Sequence, residues 1–223
     1  MTVDQKIDEI ENRLRTEVKE LRLQDYHETF HLQCADFVKN EGYWMEFGVF
    51  TGRSLEQFSR KCPTDIYGFD AWEGLPEKWD DQNPLHCYSL GGNIPMGYVV
   101  GENHSMFNSN HPTNILPWPK NVKLVKGYFD ATLPKFLEKF PEDVAFIHID
   151  SDLYSSCKTV LDNLKPRIKK GTILLFDEIV GYNDYRLHEI KSFAEFLLDT
   201  GLNYRPLLAQ NLNDYGQGLF IIE

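Results

Sequence analysis

The sequence predicts a doubly wound α/β fold: a mostly parallel, seven-stranded sheet with helices on both faces and an antiparallel last strand. Three observations carry this. Short apolar, β-branched and aromatic runs alternate with helical patterns from Tyr43 onward, the pattern of strands joined by covering helices. Val144, Phe146 and similar neighbours read as buried strands, as a sheet covered on both faces requires. The final two, "YRPLLAQ" and "GLFIIE", are separated by only a turn, which makes them antiparallel neighbours.

The elements follow in order. "TVDQKIDEIENRLRTEVKEL" reads as a helix: Thr2 and Gln5 have capping-box spacing, and Val3, Ile7, Ile10, Leu14, Val18 and Leu21 recur every three or four residues. Its narrow apolar stripe among charged faces could dock on its own domain or form a seam with a second copy of the chain; the seam is favoured, so a homo-oligomer (a dimer) is expected. A second helix is expected from Tyr26 to Lys39, making residues 1–40 a helical N-terminal portion ahead of a main domain over 41–223. That domain begins with the strand "YWMEFGVF", a helix from Ser54 to Cys62 and the strand "DIYGFDAW". After a long connection come "NVKLVKG", the helix "TLPKFLEKF" and the strand "VAFIHID". A helix from Leu153 towards Lys169, the strand "GTILLFDE" and a helix from Tyr185 to Asp199, stopped by Gly201, lead to the final pair.

The long connection, about residues 78–118, is rich in Gly, Asn and Pro and carries Trp79, Tyr88, Tyr98, Phe107 and Trp118. A connection of this length inside a domain reads as a lid over a site. Its three histidines, His86, His104 and His111, carry no individual assignment.

Composition narrows the function. With 23 Lys and Arg against 34 Asp and Glu the formal charge is −11, and the sequence pI is about 5.1. Neither nucleic acid nor an anionic membrane suits such a surface as main partner. The four cysteines form no close pair and read as free thiols in a reducing compartment. No apolar run approaches the ~20 residues of a membrane span, and no apolar leader opens the chain, so a cytoplasmic location is expected.

In open parallel sheets, ligands lie at the carboxyl ends of the strands. The first strand ends in "EFGVFTGRS", where Gly48 and Gly52 allow close backbone approach to a ligand. This run lacks the middle glycine of the dinucleotide fingerprint, which disfavours a nicotinamide cofactor and leaves room for a smaller one. The next strand ends in Asp70, 22 positions after Gly48, where an acid suits ribose hydroxyls. Two later strands end in "IHIDSD" and "LLFDE". Adjacent strands lie about 4.8 Å apart, so Asp150 and Asp177 converge, with Glu178 beside them. Converging carboxylates repel unless a hard cation or a proton sits among them, and oxygen-only donors suit Mg²⁺, Mn²⁺ or Ca²⁺.

The segments "EFGVFTGRSLEQF", "YGFDAWEGLPEKW", "LVKGYFDATLPKFL", "HIDSDLYSSCKTVL" and "GTILLFDEIVGY", in this order, resemble the macrocin O-methyltransferase family, class I enzymes with a Rossmann-like fold that use S-adenosylmethionine. The resemblance implies that Glu46, Gly48, Thr51, Gly52 and Ser54 hold the methionine part of the cofactor and Asp70 its ribose. Trp72, Gly127, Tyr128, Phe129 and Asp130 would form the adenine side. It implies a metal site at Asp150, Asp177 and Glu178, with Glu178 standing where the family is expected to have Asp or Asn. The base lysine of the similar catechol enzyme falls on Leu153. Asp152, one residue earlier, takes the role of catalytic base, with Asp150 beside it as metal ligand. His148 and His188 are further candidates, the former otherwise a buried, hydrogen-bonded histidine.

The expectation is therefore an S-adenosylmethionine-dependent, divalent-metal-dependent O-methyltransferase acting on a small polyol, sugar or glycosylated metabolite. A nicotinamide-dependent oxidoreductase and a non-catalytic cofactor-binding domain are the alternatives.

Overall fold

A computed structural model describes residues 1–21, 27–80, 82–100 and 114–223. The expected helix start at Tyr26, and Phe107, His104 and His111 in the long connection, lie outside the described residues.

The first helix, α1 (Val3–Thr16), begins with the expected capping box: the Gln5 amide N–H reaches Thr2 Oγ1 at 3.2 Å, and the Gln5 side chain accepts from the Thr2 N–H at 2.9 Å. A two-residue strand, β1 (Glu20–Leu21), and helix α2 (His27–Asp36) precede the main alternation. This runs β2 (Tyr43–Phe47), α3 (Arg53–Ser59), β3 (Ile66–Asp70), β4 (Gly97–Val100), β5 (Asn114–Pro117), β6 (Val122–Lys126) and α4 (Phe129–Lys139). It continues with β7 (Val144–Ile149), α5 (Tyr154–Leu164), β8 (Ile168–Val180), α6 (Glu189–Thr200), β9 (Tyr204–Gln210) and β10 (Gly216–Ile222). Gly201, at φ 67°, caps α6 in the left-handed region as expected.

The main sheet has the order β1-β9-β10-β8-β7-β2-β3-β6. It is parallel except for β10, which is antiparallel to both β8 and β9. It holds eight strands rather than the expected seven, because Glu20 and Leu21 pair in parallel with Ala209 and Gln210. The chain leaves β2 in one direction through β3 to β6 and then returns to β7 on the other side of β2. The strand order therefore reverses between β2 and β7.

Alternation along the strands divides the core. Met45, Phe47, Ile147 and Ile149 face the side covered by α1, α4, α5 and α6, whereas Trp44, Phe146, Ile173 and Leu175 face α2 and α3. Helix α1 corrects one expectation. Ile7, Ile10 and Leu14 are almost fully buried in this chain's own core, packed with Phe193, Tyr204 and Phe220. Arg13 donates to the Tyr204 carbonyl at 2.9 Å and Tyr185 donates to Glu11 at 2.7 Å, fixing the helix further. The apolar stripe is not left as a seam for a second copy.

In the long connection, β4 and β5 form a separate antiparallel hairpin. Val99 donates to the Thr51 carbonyl at 3.2 Å, and Trp118 packs against Gly52. Trp79 is buried with Leu75 and Leu153. This connection thus lies against the loops that follow β2 and β7. No described helix is long and apolar enough to cross a membrane.

Candidate active site

The strand-order reversal opens a cavity of about 710 Å³ at the carboxyl edge of the sheet. Asp150 N–H donates to the Phe47 carbonyl at 2.9 Å, drawing the end of β7 against β2. The approach is so close that a Cβ on Gly48 would meet the Asp150 carbonyl oxygen at 1.7 Å, and Gly48 also has φ 94°. Only glycine fits this crossing.

Asp70 orders the loop that follows. Its Oδ2 accepts from the Val49 and Phe50 N–H groups at 2.8 Å each, and its Oδ1 from the Trp72 N–H at 2.6 Å. A carboxylate offers about four acceptor positions, so roughly one remains for a ligand.

Gly48, Thr51, Ser54, Asp70, Tyr128, Phe129 and Asp130 line the cavity, as do Asp150, Asp152, Asp177 and Glu178. Four expected cofactor residues lie outside that lining. Trp72 is fully buried, and its indole donates to the Phe50 carbonyl at 3.0 Å. Its φ of 54° turns the side chain into the core beneath the loop rather than into the cavity. Glu46 is fully buried, accepting from Ser54 Oγ at 3.1 Å and facing His148. Gly52 caps α3 at φ 78°, and Gly127 bends the chain between β6 and α4 at φ 133°.

The acids converge as expected. One oxygen each from Asp150, Asp177 and Glu178 lie within 4.8 Å of one another. Burial, then the charge of Asp177, pushes the Asp150 and Glu178 carboxyls well above the usual range. Glu178 Oε2 is buried without a hydrogen-bond partner. Asp177 stays ionised, at about 2, because the neighbouring His148 outweighs its own burial. Gln217 donates its amide to Asp177 Oδ1.

Asp152 is buried and left-handed, at φ 61°, a conformation that costs a non-glycine residue energy and recurs at functional sites. Burial and the Asp177 charge raise its carboxyl to about 7. Behind it, Glu189 at the start of α6 accepts from the Ser151 N–H and Oγ at 3.2 Å each, and burial raises it to about 8.

Sequence reasoning did not find Tyr88, Gln217, His31 or Gln57 at this cavity, nor Glu189 behind it. Glu189 looks in sequence like an ordinary first-turn acid. His31 and Gln57 come from α2 and α3, which alternation alone does not orient. One available signal was the acid of "YWMEF" opposite the histidine of "VAFIHI", two polar residues facing each other from apolar strands. His148 is fully buried and hydrogen-bonded to Glu46 at 3.0 Å. Burial alone would lower its pKa, but the Asp177 and Glu46 carboxylates beside its two ring nitrogens raise it to about 10. His188 packs beside Trp79 and Tyr182 instead of lining the cavity. His86, at φ 65°, sits on the Glu73 carbonyl at 3.2 Å. All four cysteines are free.

Comparison with known proteins agrees with this architecture. The solved calicheamicin methyltransferase CalS11 is similar over 98% of this chain and 91% of its own, with TM-score 0.60 and 20% identity. The O-methyltransferase NovP is similar over 99% of both chains, with TM-score 0.58 and 15% identity. An O-methyltransferase from Bacillus cereus, solved in complex with SAH, is similar over 99% of this chain and 90% of that one, with TM-score 0.52 and 13% identity. At these identities the likeness is one of fold. No curated protein sequence matches the chain. A family model described as a methyltransferase domain matches residues 45–179, more than half of the chain and the whole stretch from β2 to the acids of β8. The chain belongs to this methyltransferase-domain family.

Proposed function

We propose that the protein transfers a methyl group from S-adenosylmethionine to a hydroxyl of a small polyol, sugar or glycosylated acceptor. The observation that carries this is a single cavity with the Gly48 crossing and the Asp70-ordered loop on one side and four acids on the other. The resemblance to the macrocin O-methyltransferases supports it, as does the fold shared with CalS11, one structure of which is described as a TDP-rhamnose 3'-O-methyltransferase.

The cavity is large enough for a nucleoside cofactor together with part of an acceptor. Thr51 and Ser54, which line the cavity, take the methionine part. Asp70 offers one acceptor position to the ribose, and Tyr128, Phe129 and Asp130 flank the adenine side. Asp150, Asp177 and Glu178 fit a hard divalent cation such as Mg²⁺, because their oxygens converge and the buried Glu178 Oε2 lacks a partner. When bound, such a cation lowers the pKa of a coordinated hydroxyl and fixes its position. Asp152 accepts the acceptor's proton, its carboxyl tuned close to neutrality and its position fixed by the strained backbone. The described part of the long connection, residues 78–80, 82–100 and 114–118, closes over the cavity and excludes water from the reacting sulfonium.

The test incubates the protein with methyl-labelled S-adenosylmethionine and a panel of nucleotide-linked and glycosylated hydroxyl compounds, with Mg²⁺ or with EDTA. Label should appear in an acceptor with Mg²⁺ and not with EDTA. Transfer that persists in EDTA contradicts the role of the metal.

A further inference from the structure

Behind the acids, on the α2 and α3 side of the sheet, lies a buried group of nitrogen and oxygen donors that methyl transfer as described above does not use. It begins in the strand register. Glu46 and His148 are direct partners across β2 and β7, and His148 is opposite Leu175 on β8. Alternation then places residues 46, 148, 175 and 177 on one face of the sheet. His148 Nδ1 is 3.0 Å from Glu46 Oε2. The carboxylate accepts, so Nδ1 carries a hydrogen and Nε2 is the nitrogen left to meet a cation, giving up its proton when one binds. That Nε2 atom is buried, has no hydrogen-bond partner and points towards Asp177 Oδ1 at 3.9 Å.

Helix α2 lays a second imidazole beside the first. The His31 and His148 ring centroids are 5.6 Å apart, and His31 is 6% exposed. Its Nδ1 lies 2.8 Å from Gln57 Oε1, so the amide oxygen accepts and Nε2 is the His31 nitrogen with the chemistry to ligate a cation. One donor atom each from His31, His148 and Asp177 lie within 4.8 Å of one another.

We propose that His31, His148 and Asp177 form a second cation position, sharing Asp177 with the all-carboxylate site, that takes a borderline transition metal of the Zn²⁺ or Co²⁺ kind in preference to Mg²⁺. The 3.9 Å separation is too long for a hydrogen bond and within about 0.5 Å of the ligand–ligand edge around a tetrahedral ion with ~2.1 Å bonds. Two imidazoles, deprotonated at Nε2 on binding, with one carboxylate suit such an ion, whereas Mg²⁺ demands oxygen donors and keeps its waters. Each imidazole hands its other N–H to a side-chain oxygen, Glu46 for His148 and Gln57 for His31. Metal-binding histidines are oriented in this way. Asp177 supplies the negative charge for either position, so its two oxygens can bridge them.

The inference stands on this geometry and not on the methyl-transfer reading. The test takes the full chain, stripped of metal with a chelator, and titrates it with Co²⁺ and with Mg²⁺ by calorimetry and visible absorption. Co²⁺ should bind more tightly than Mg²⁺. His31→Gln and His148→Gln should each weaken Co²⁺ by at least ~10-fold and weaken Mg²⁺ by less. Asp150→Asn should do the reverse. X-ray absorption at the edge of zinc bound to the unaltered chain should show imidazole scattering, and this readout decides the matter should a histidine variant fail to fold. Co²⁺ affinity unchanged in both histidine variants, Co²⁺ binding no tighter than Mg²⁺, or zinc without imidazole ligands would each overturn the proposal. If the cobalt result fails while S-adenosylhomocysteine still binds, only this inference falls.

Discussion

The carbonyl oxygen of Asp150 occupies the space that a side chain at position 48 would need, 1.7 Å from where the Cβ of residue 48 would stand. One contact therefore joins the cofactor side of the cavity to its acidic side. Gly48→Ala should push β2 and β7 apart at their carboxyl ends, and backbone strain at φ 94° adds about 1–3 kcal/mol of destabilisation. Thermal melting and S-adenosylhomocysteine titration should both show a loss. A variant with the original melting temperature and affinity contradicts the crossing as drawn.

Asp150 and Asp152 should separate in mutants. Asp150→Asn should lose Mg²⁺ binding and activity together. Asp152→Asn should keep the metal and lose turnover by about 10²–10⁴-fold, the range of general acid–base catalysis. Because the base form of Asp152 is required, turnover should rise with pH up to about 7 and then level off. Equal loss of metal in both variants would remove the division of roles.

Glu189 links the site to stability. Its carboxyl titrates at about 8 in the folded chain against 4.5 for the ordinary group, so the folded state binds the extra proton between those values. The stabilisation is fully present below about 4.5 and lost as pH rises through about 8. In EDTA, the melting temperature should fall across this window, and Glu189→Gln should flatten the fall. A slope unchanged in the variant contradicts the assignment.

Much of this molecule was legible because its signals are local. The Thr2–Gln5 box, the Gly201 stop and the strand-end acids Asp150, Asp177 and Glu178 follow from spacing within a few residues. What escaped depends on long-range choices. The stripe of Ile7, Ile10 and Leu14 shows that one face is buried, but periodicity does not say against what, and α6 and β9 are the answer. Trp72 follows its strand directly, yet a left-handed turn sends it inward. Asp70 reads as a ligand acid, and only the folded loop brings three backbone N–H groups onto it. Two residues are too few for β1 to have a pattern.

The docking of α1 makes its own prediction. Leu14→Ala should destabilise the chain by about 2–5 kcal/mol, because Leu14 is fully buried against its own domain. Light scattering should give the same particle mass before and after. A fall in mass without loss of stability would instead restore the seam between copies.

The most direct measurement of the central claim is calorimetry of the purified chain with S-adenosylhomocysteine and, separately, with NAD, each with and without Mg²⁺. The account predicts that S-adenosylhomocysteine binds with one site per chain, that NAD does not, and that the Gly48→Ala variant loses the signal. Binding of NAD in place of S-adenosylhomocysteine would contradict it.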